Sequence, residues 1–138
     1  MPLQIIRQDI TKMRVDAIVN TTNEEMVGYS GVDLAVHEGA GPLLDAECAK
    51  LAPLGLGTAK ITRGYNLDAK YIIHTSGPVW NGGLVGESII LKSCYIDLLI
   101  KLQRRDNVFT DNNFSPVKIQ SHKYIRVLYT YLLTLSRL

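Results

Sequence analysis

No glycine follows Gly86 in this 138-residue chain, although eleven occur up to that point. Residues 87–138 therefore cannot build a loop that depends on glycine backbone, and any close cradle for a ligand belongs to the earlier part. Cysteine is scarce. Cys48 and Cys94 fall inside expected helices without metal-ligand spacing, which excludes a disulfide framework and reads as two buried thiols in a reducing compartment. Charge is modest, at a net +2, and on its own argues for neither a nucleic-acid nor a membrane partner. Long apolar runs are missing too: Tyr124 to Leu135 contains Arg126 and is too short to span a bilayer. The opening Met1-Pro2-Leu3-Gln4 lacks the basic start and apolar core of a signal peptide, so a soluble cytoplasmic protein is expected. Several motifs are absent. There is no G-x-x-x-x-G-K-[ST] for a P-loop and no G-x-S-x-G for an esterase nucleophile. Gly55-Leu56-Gly57 begins like a dinucleotide fingerprint, but Lys60 replaces its third glycine and the segment precedes a strand instead of following one.

What is present suffices for one domain with a real core, since 46% of the residues are hydrophobic. The composition breaks along the chain. Residues 1–101 carry nine Lys/Arg against eleven Asp/Glu, a net −2, whereas residues 102–138 carry six against two, a net +4. Strands are expected at Leu3–Ile6, Ala17–Asn20, Thr58–Arg63 and Lys70–Thr75. Helices are expected from Gly31 or Val32 to a stop at Gly39, from Leu43 to Leu51, and from Glu87 to Leu102. The last has an apolar face of Ile90, Leu91, Cys94, Tyr95, Leu98 and Leu102. Strands alternating with helices indicate an α/β domain with a mixed or parallel sheet.

The stretch from Val19 to His37 concentrates the chemistry. It leaves an apolar, non-alternating strand, passes Asn20 and Asn23, crosses Gly28 and Gly31, and enters a helix with Asp33 in its first turn. Asparagine offers a donor and an acceptor to sugar hydroxyls, glycine permits close backbone approach, and helix-start N–H groups attract anions. Such a segment suits a ribose next to a phosphate. A capped surface turn explains the same residues, and Thr22-x-x-Glu25 fits a capping box. Asp33 and His37 stand at i, i+4, but without a third ligand they read as an exposed ion pair or hydrogen bond and not as a metal site. Asp9 reads as a turn cap or a ligand contact, and His74 as a hydrogen-bonded core or rim histidine.

Taken in order, these pieces resemble the macro domain family. Gln8-Asp9-Ile10-Thr11 is similar to its G-D-I-T, and Val15 to Asn23 to its V-D-A-I-V-N-A-A-N. Gly28 to His37 resembles its G-G-G-G-V-D-G-A-I-H. Gly57 to Thr62, Gly64 to Leu67 and Ala69 to Pro78 resemble its G-E-A-K-I-T, G-Y-x-L and A-K-x-V-I-H-T-V-G-P segments. The likeness covers Leu3 to Leu102, which sets a macro-like domain at 1–102 and a divergent tail at 103–138. It implies a three-layer α/β/α sandwich, incomplete at its C-terminal strands, that binds ADP-ribose or O-acetyl-ADP-ribose without a cofactor or metal. Mono-ADP-ribosylated proteins are the implied macromolecular partners.

The resemblance also implies roles. Asp9 and Ile10 serve the adenine, Asn23 the distal ribose with support from Asn20, and Gly28, Gly31 and Val32 the diphosphate and ribose. Asn23 and Asp33 are the expected catalytic residues, holding and activating a water against an ester. The sequence departs from the pattern at Tyr29, Ser30 and Leu34, which replace glycines, and at Leu54 and Leu56. The family's second glycine loop, S-T-G-[IV]-[YF]-G, has no counterpart in 102–138. Three functions remain open at this point: an ADP-ribosyl or O-acetyl-ADP-ribose ester hydrolase, a binding module without turnover, and an inactive remnant.

Overall fold

The computed structural model describes residues 7–104 and 118–119. Asp9 caps a short 3-10 turn, Ile10–Lys12, by accepting the Thr11 N–H. Strand β1 (Ala17–Thr21) leads through the loop 22–30 into helix α1 (Gly31–Ala40), followed at once by α2 (Pro42–Leu51). Strands β2 (Ala59–Arg63) and β3 (Tyr71–Thr75) come next, then helix α3 (Glu87–Arg104) and the two-residue strand β4 (Lys118–Ile119). The sheet order is β2-β3-β1-β4, with β2 antiparallel to β3, and β1 parallel to both β3 and β4. The expected strand at Leu3–Ile6 and the apolar segment at Tyr124–Leu135 lie outside the described residues.

Two apolar layers flank this sheet, as strand alternation requires. Ile18 and Ile72 join Val36, Ala40, Leu44 and Cys48 beneath α1 and α2. Ala17, Val19, Ala59 and Ile73 face the other way, with Leu98 of α3. Burial on both faces is why Ala17-Ile18-Val19 shows no polar alternation. The three layers are those that the resemblance implies; of the tail, residues 103–104 end α3 and Lys118–Ile119 pair beside β1.

The helix break is one residue later than expected. Gly39 remains helical, and its lack of a side chain serves packing: a Cβ there would stand 2.9 Å from Leu67 Cδ2. Gly41 ends the helix instead, with φ of 84°, a conformation that L side chains seldom adopt, and Pro42 then opens α2. Both cysteines are buried and free, Cys48 in α2 and Cys94 in α3. No helix among the described residues is long and apolar enough to cross a membrane.

Candidate functional site

The parallel pair β1–β3 sets the site, because both strands end on the same sheet edge. Asn20 is opposite His74 and Thr21 opposite Thr75, and the chain after β1 is tied to β3 by Thr22 N–H donating to the Thr75 carbonyl at 3.0 Å. Strand alternation puts the side chains of Asn20 and His74 on the same face as Ile18 and Ile72, toward α1 and α2. Both are fully buried. Asp33, in the first turn of α1, projects into the same layer and is only 7% exposed.

Asp33 is the centre of a buried network. Asn20 Nδ2 donates to its Oδ1 at 2.7 Å, Thr22 Oγ1 donates to Oδ2 at 3.2 Å, and the Tyr29 N–H reaches Oδ2 at 3.4 Å. One carboxylate thus ties together the end of β1, the loop and the helix start. His37 stands one turn on, with Nε2 3.6 Å from Asp33 Oδ1 and Nδ1 2.6 Å from Asp45 Oδ1. Asp33 and His37 are therefore a buried pair, not a surface one. Thr22, whose hydroxyl serves Asp33, is no member of a capping box, and residues 24–25 form a turn instead of a helix start.

The other expected site residues divide into two groups. Asn23 Oδ1 accepts the Val27 N–H at 3.1 Å and shapes its own turn. Asp9 accepts from the Thr11 N–H and hydroxyl, and these bonds hold its carboxyl below the usual range. Ile10 is 4% exposed and part of the core. Gly28 packs on His37, where an added Cβ would come within 2.7 Å of His37 Cβ, so only glycine fits this crossing. Gly31 is exposed at the start of α1, and Val32 is half-buried against the core. Ser30, the residue before α1, makes no side-chain capping bond. The first-turn N–H groups of that helix consequently lack the usual internal acceptor.

His74 is a hydrogen-bonded core histidine, as expected, and the structure adds Thr62 as its partner. His74 lies beneath the network, within 3.3 Å of Asn20 Nδ2 through Nδ1 and 2.9 Å of Thr62 Oγ1 through Nε2. Burial, with His37 adding to it, pushes its pKa down to about 3, so the ring is neutral. A neutral ring that accepts from Asn20 and donates to Thr62 satisfies every contact. Cys48 Sγ is 3.9 Å from His74 Nε2, and burial followed by nearby carboxylates pushes its thiol up to about 12. His37, Cys48 and His74 bring ligand-type atoms within 4.8 Å of one another. With both His74 nitrogens occupied, His74 and Cys48 read as a packed floor beneath the network, and His37 Nε2 stands beside it without a hydrogen-bond partner among the described residues. The sequence already marked His74 as a core histidine, Cys48 as a buried thiol and His37 at i+4 from Asp33; that the three meet required knowing the strand register.

The family model for the macro domain matches residues 19–110, and the chain belongs to this family. A macro domain-containing protein of Methanosarcina mazei is 57% identical over 93 residues, covering 67% of this chain and 50% of the relative. The ADP-ribose glycohydrolase MACROD1 of Bos taurus is 46% identical over 111 residues, covering 78% of this chain and 34% of that protein. A mutant macrodomain of Oceanobacillus iheyensis, solved with ADPR, superposes with a TM-score of 0.64 at 36% identity, covering 70% of this chain and 57% of that one. The chain spans about half the length of the curated relatives it matches.

Proposed function

We propose that this chain recognises ADP-ribose through the loop between β1 and α1, and that the same loop supports hydrolysis of an ester on the distal ribose. The observation that carries the reading is the Asn20–Asp33–Thr22 network, which fixes a glycine-bearing loop and the uncapped start of a ten-residue helix at one sheet edge. A diphosphate is the complementary ligand for the N–H groups at Gly31 and Val32. Asp9, exposed at the turn before β1, is assigned to the adenine, and Asn23 to the ribose. The relative named ADP-ribose glycohydrolase supports a hydrolase of this general kind.

In the hydrolytic step, water adds its oxygen to the acyl carbon, the acyl–ribose C–O bond breaks, and a carboxylic acid and a free ribose hydroxyl result. Asp33, aided by His37, is assigned the water; the substrates are O-acetyl-ADP-ribose or a protein carboxylate bearing ADP-ribose. A second reading has its own support. Both Asp33 oxygens already accept hydrogen bonds and the residue is 7% exposed, which suits a loop clamp better than a base. On that reading the chain binds without turnover.

Calorimetry with ADP-ribose tests recognition, and release of acetate from O-acetyl-ADP-ribose tests turnover. Saturable heat with acetate release that disappears in Asp33→Asn supports the hydrolase. Heat without release supports the binding module, and absence of both overturns recognition.

A further inference from the structure

Behind the β1–α1 loop lies a groove of about 570 Å³ between residues 25–28 and the two helices α1 and α2. Its walls include Glu25, Glu38 and Asp45, and among the described residues no Lys or Arg lines it. Glu25 and Glu38 have no cationic partner among the described residues. Apolar surface comes from Val27, 51% exposed, and Leu34, 38% exposed. His37 also forms part of the wall; it is 5% exposed, and its Nε2 lies on the inner side, 3.6 Å from Asp33 Oδ1. The groove is contiguous with the candidate site, since Gly28 and His37 belong to both.

Carboxylates unpaired among the described residues, in a groove that also exposes Val27 and Leu34, match one kind of occupant: a long basic side chain, its methylene stem on the apolar surface and its head on the acids. A bare divalent ion is a poor match, because hard cations require six or more converging oxygens. The geometry points to a docking groove for an arginine or lysine of a polypeptide partner, close to the residue that carries the ADP-ribose. The inference rests on the ADP-ribose reading for the identity of that polypeptide, but not for the groove's preference for basic side chains.

The test uses the full chain and a fluorescein-labelled peptide carrying two arginines, with a matched peptide carrying glutamines. Fluorescence anisotropy at low salt should show about three- to tenfold tighter binding of the arginine peptide, the scale expected for a pair of exposed ionic contacts. The preference should vanish in the double variant Glu25→Gln/Glu38→Gln, which leaves the Asp45–His37 contact in place. Equal binding of the two peptides overturns the groove, as does an arginine preference that survives the double variant. Displacement of the peptide by spermidine at equal concentration also overturns it, in favour of a small polycation. Calorimetry with ADP-ribose on the same two proteins separates the readings. Arginine preference without ADP-ribose heat keeps the groove and rejects the nucleotide site; ADP-ribose heat without arginine preference does the reverse.

Discussion

Two loops leave the same sheet edge, one after β1 and one after β3, and they are fastened in opposite ways. The loop 22–30 is held from within: Asp33 and Asn20 are buried, and their bonds run between separate elements. Its glycine crossing and the helix start face outward. The loop 76–86 is tied at Ser76 to residues 57–58, and its later part hangs on one carboxylate through backbone N–H groups. Glu87, 3% exposed at the first position of α3, accepts N–H groups of Asn81, Gly83 and Val85 at 2.7, 3.1 and 2.9 Å. What this loop shows outward is apolar: Val79, Trp80, Leu84 and Val85 are all more than half exposed. The contrast teaches that a ligand cradle needs its backbone free and its anchors buried, whereas a loop that spends its backbone on one carboxylate has only side chains to offer.

The largest expected effect strikes the first loop. Asp33→Ala removes the shared acceptor and leaves one of the two Asn20 Nδ2 hydrogens and the Thr22 hydroxyl unpaired, at a cost of about 2–4 kcal/mol in urea unfolding. A change near zero in that experiment would break the contrast. Next is acid. His74 has a pKa of about 3 when folded against 6.5 when unfolded, so the unfolded chain binds more protons between these values. Stability is complete above pH 6.5 and falls as the pH drops toward 3, with about 2 kcal/mol lost by pH 5. A melting temperature that is flat from pH 7 to 5 would contradict the buried neutral ring.

A smaller and more local effect is expected at the second loop. Glu87→Ala should release the loop 76–86 and shift the emission of Trp80, the single tryptophan, while ADP-ribose binding is retained. Loss of binding in this variant would mean that the two loops act as one unit. Smallest in stability is Asp9→Ala, an exposed cap whose removal should leave the melting temperature unchanged and weaken binding of ADP-ribose but not of ribose 5-phosphate.

Much of this architecture was legible from local pattern. The unbroken apolar run Ala17-Ile18-Val19 announced a strand buried on both faces, and Gly41-Pro42 marked the boundary of two helices, although Gly39 was mistaken for the stop. The assignment of Gly39 failed because its demand for space comes from Leu67, 28 positions away, and no local pattern encodes that contact. The site was legible as residue types and not as geometry. Asn20, Gly28 and Asp33 stood out in one stretch. That Asp33 turns inward follows from how α1 packs on the sheet, that His74 lies beneath Asn20 from pairing β1 with β3 across 54 positions, and that Thr62 joins His74 from pairing β2 with β3.

Amide hydrogen exchange of the full chain, with and without ADP-ribose, tests the central claim most directly. The account predicts slowed exchange at Gly28, Gly31 and Val32, with residues 78–86 unchanged. Protection confined to residues 78–86, or no change at either loop, would contradict it.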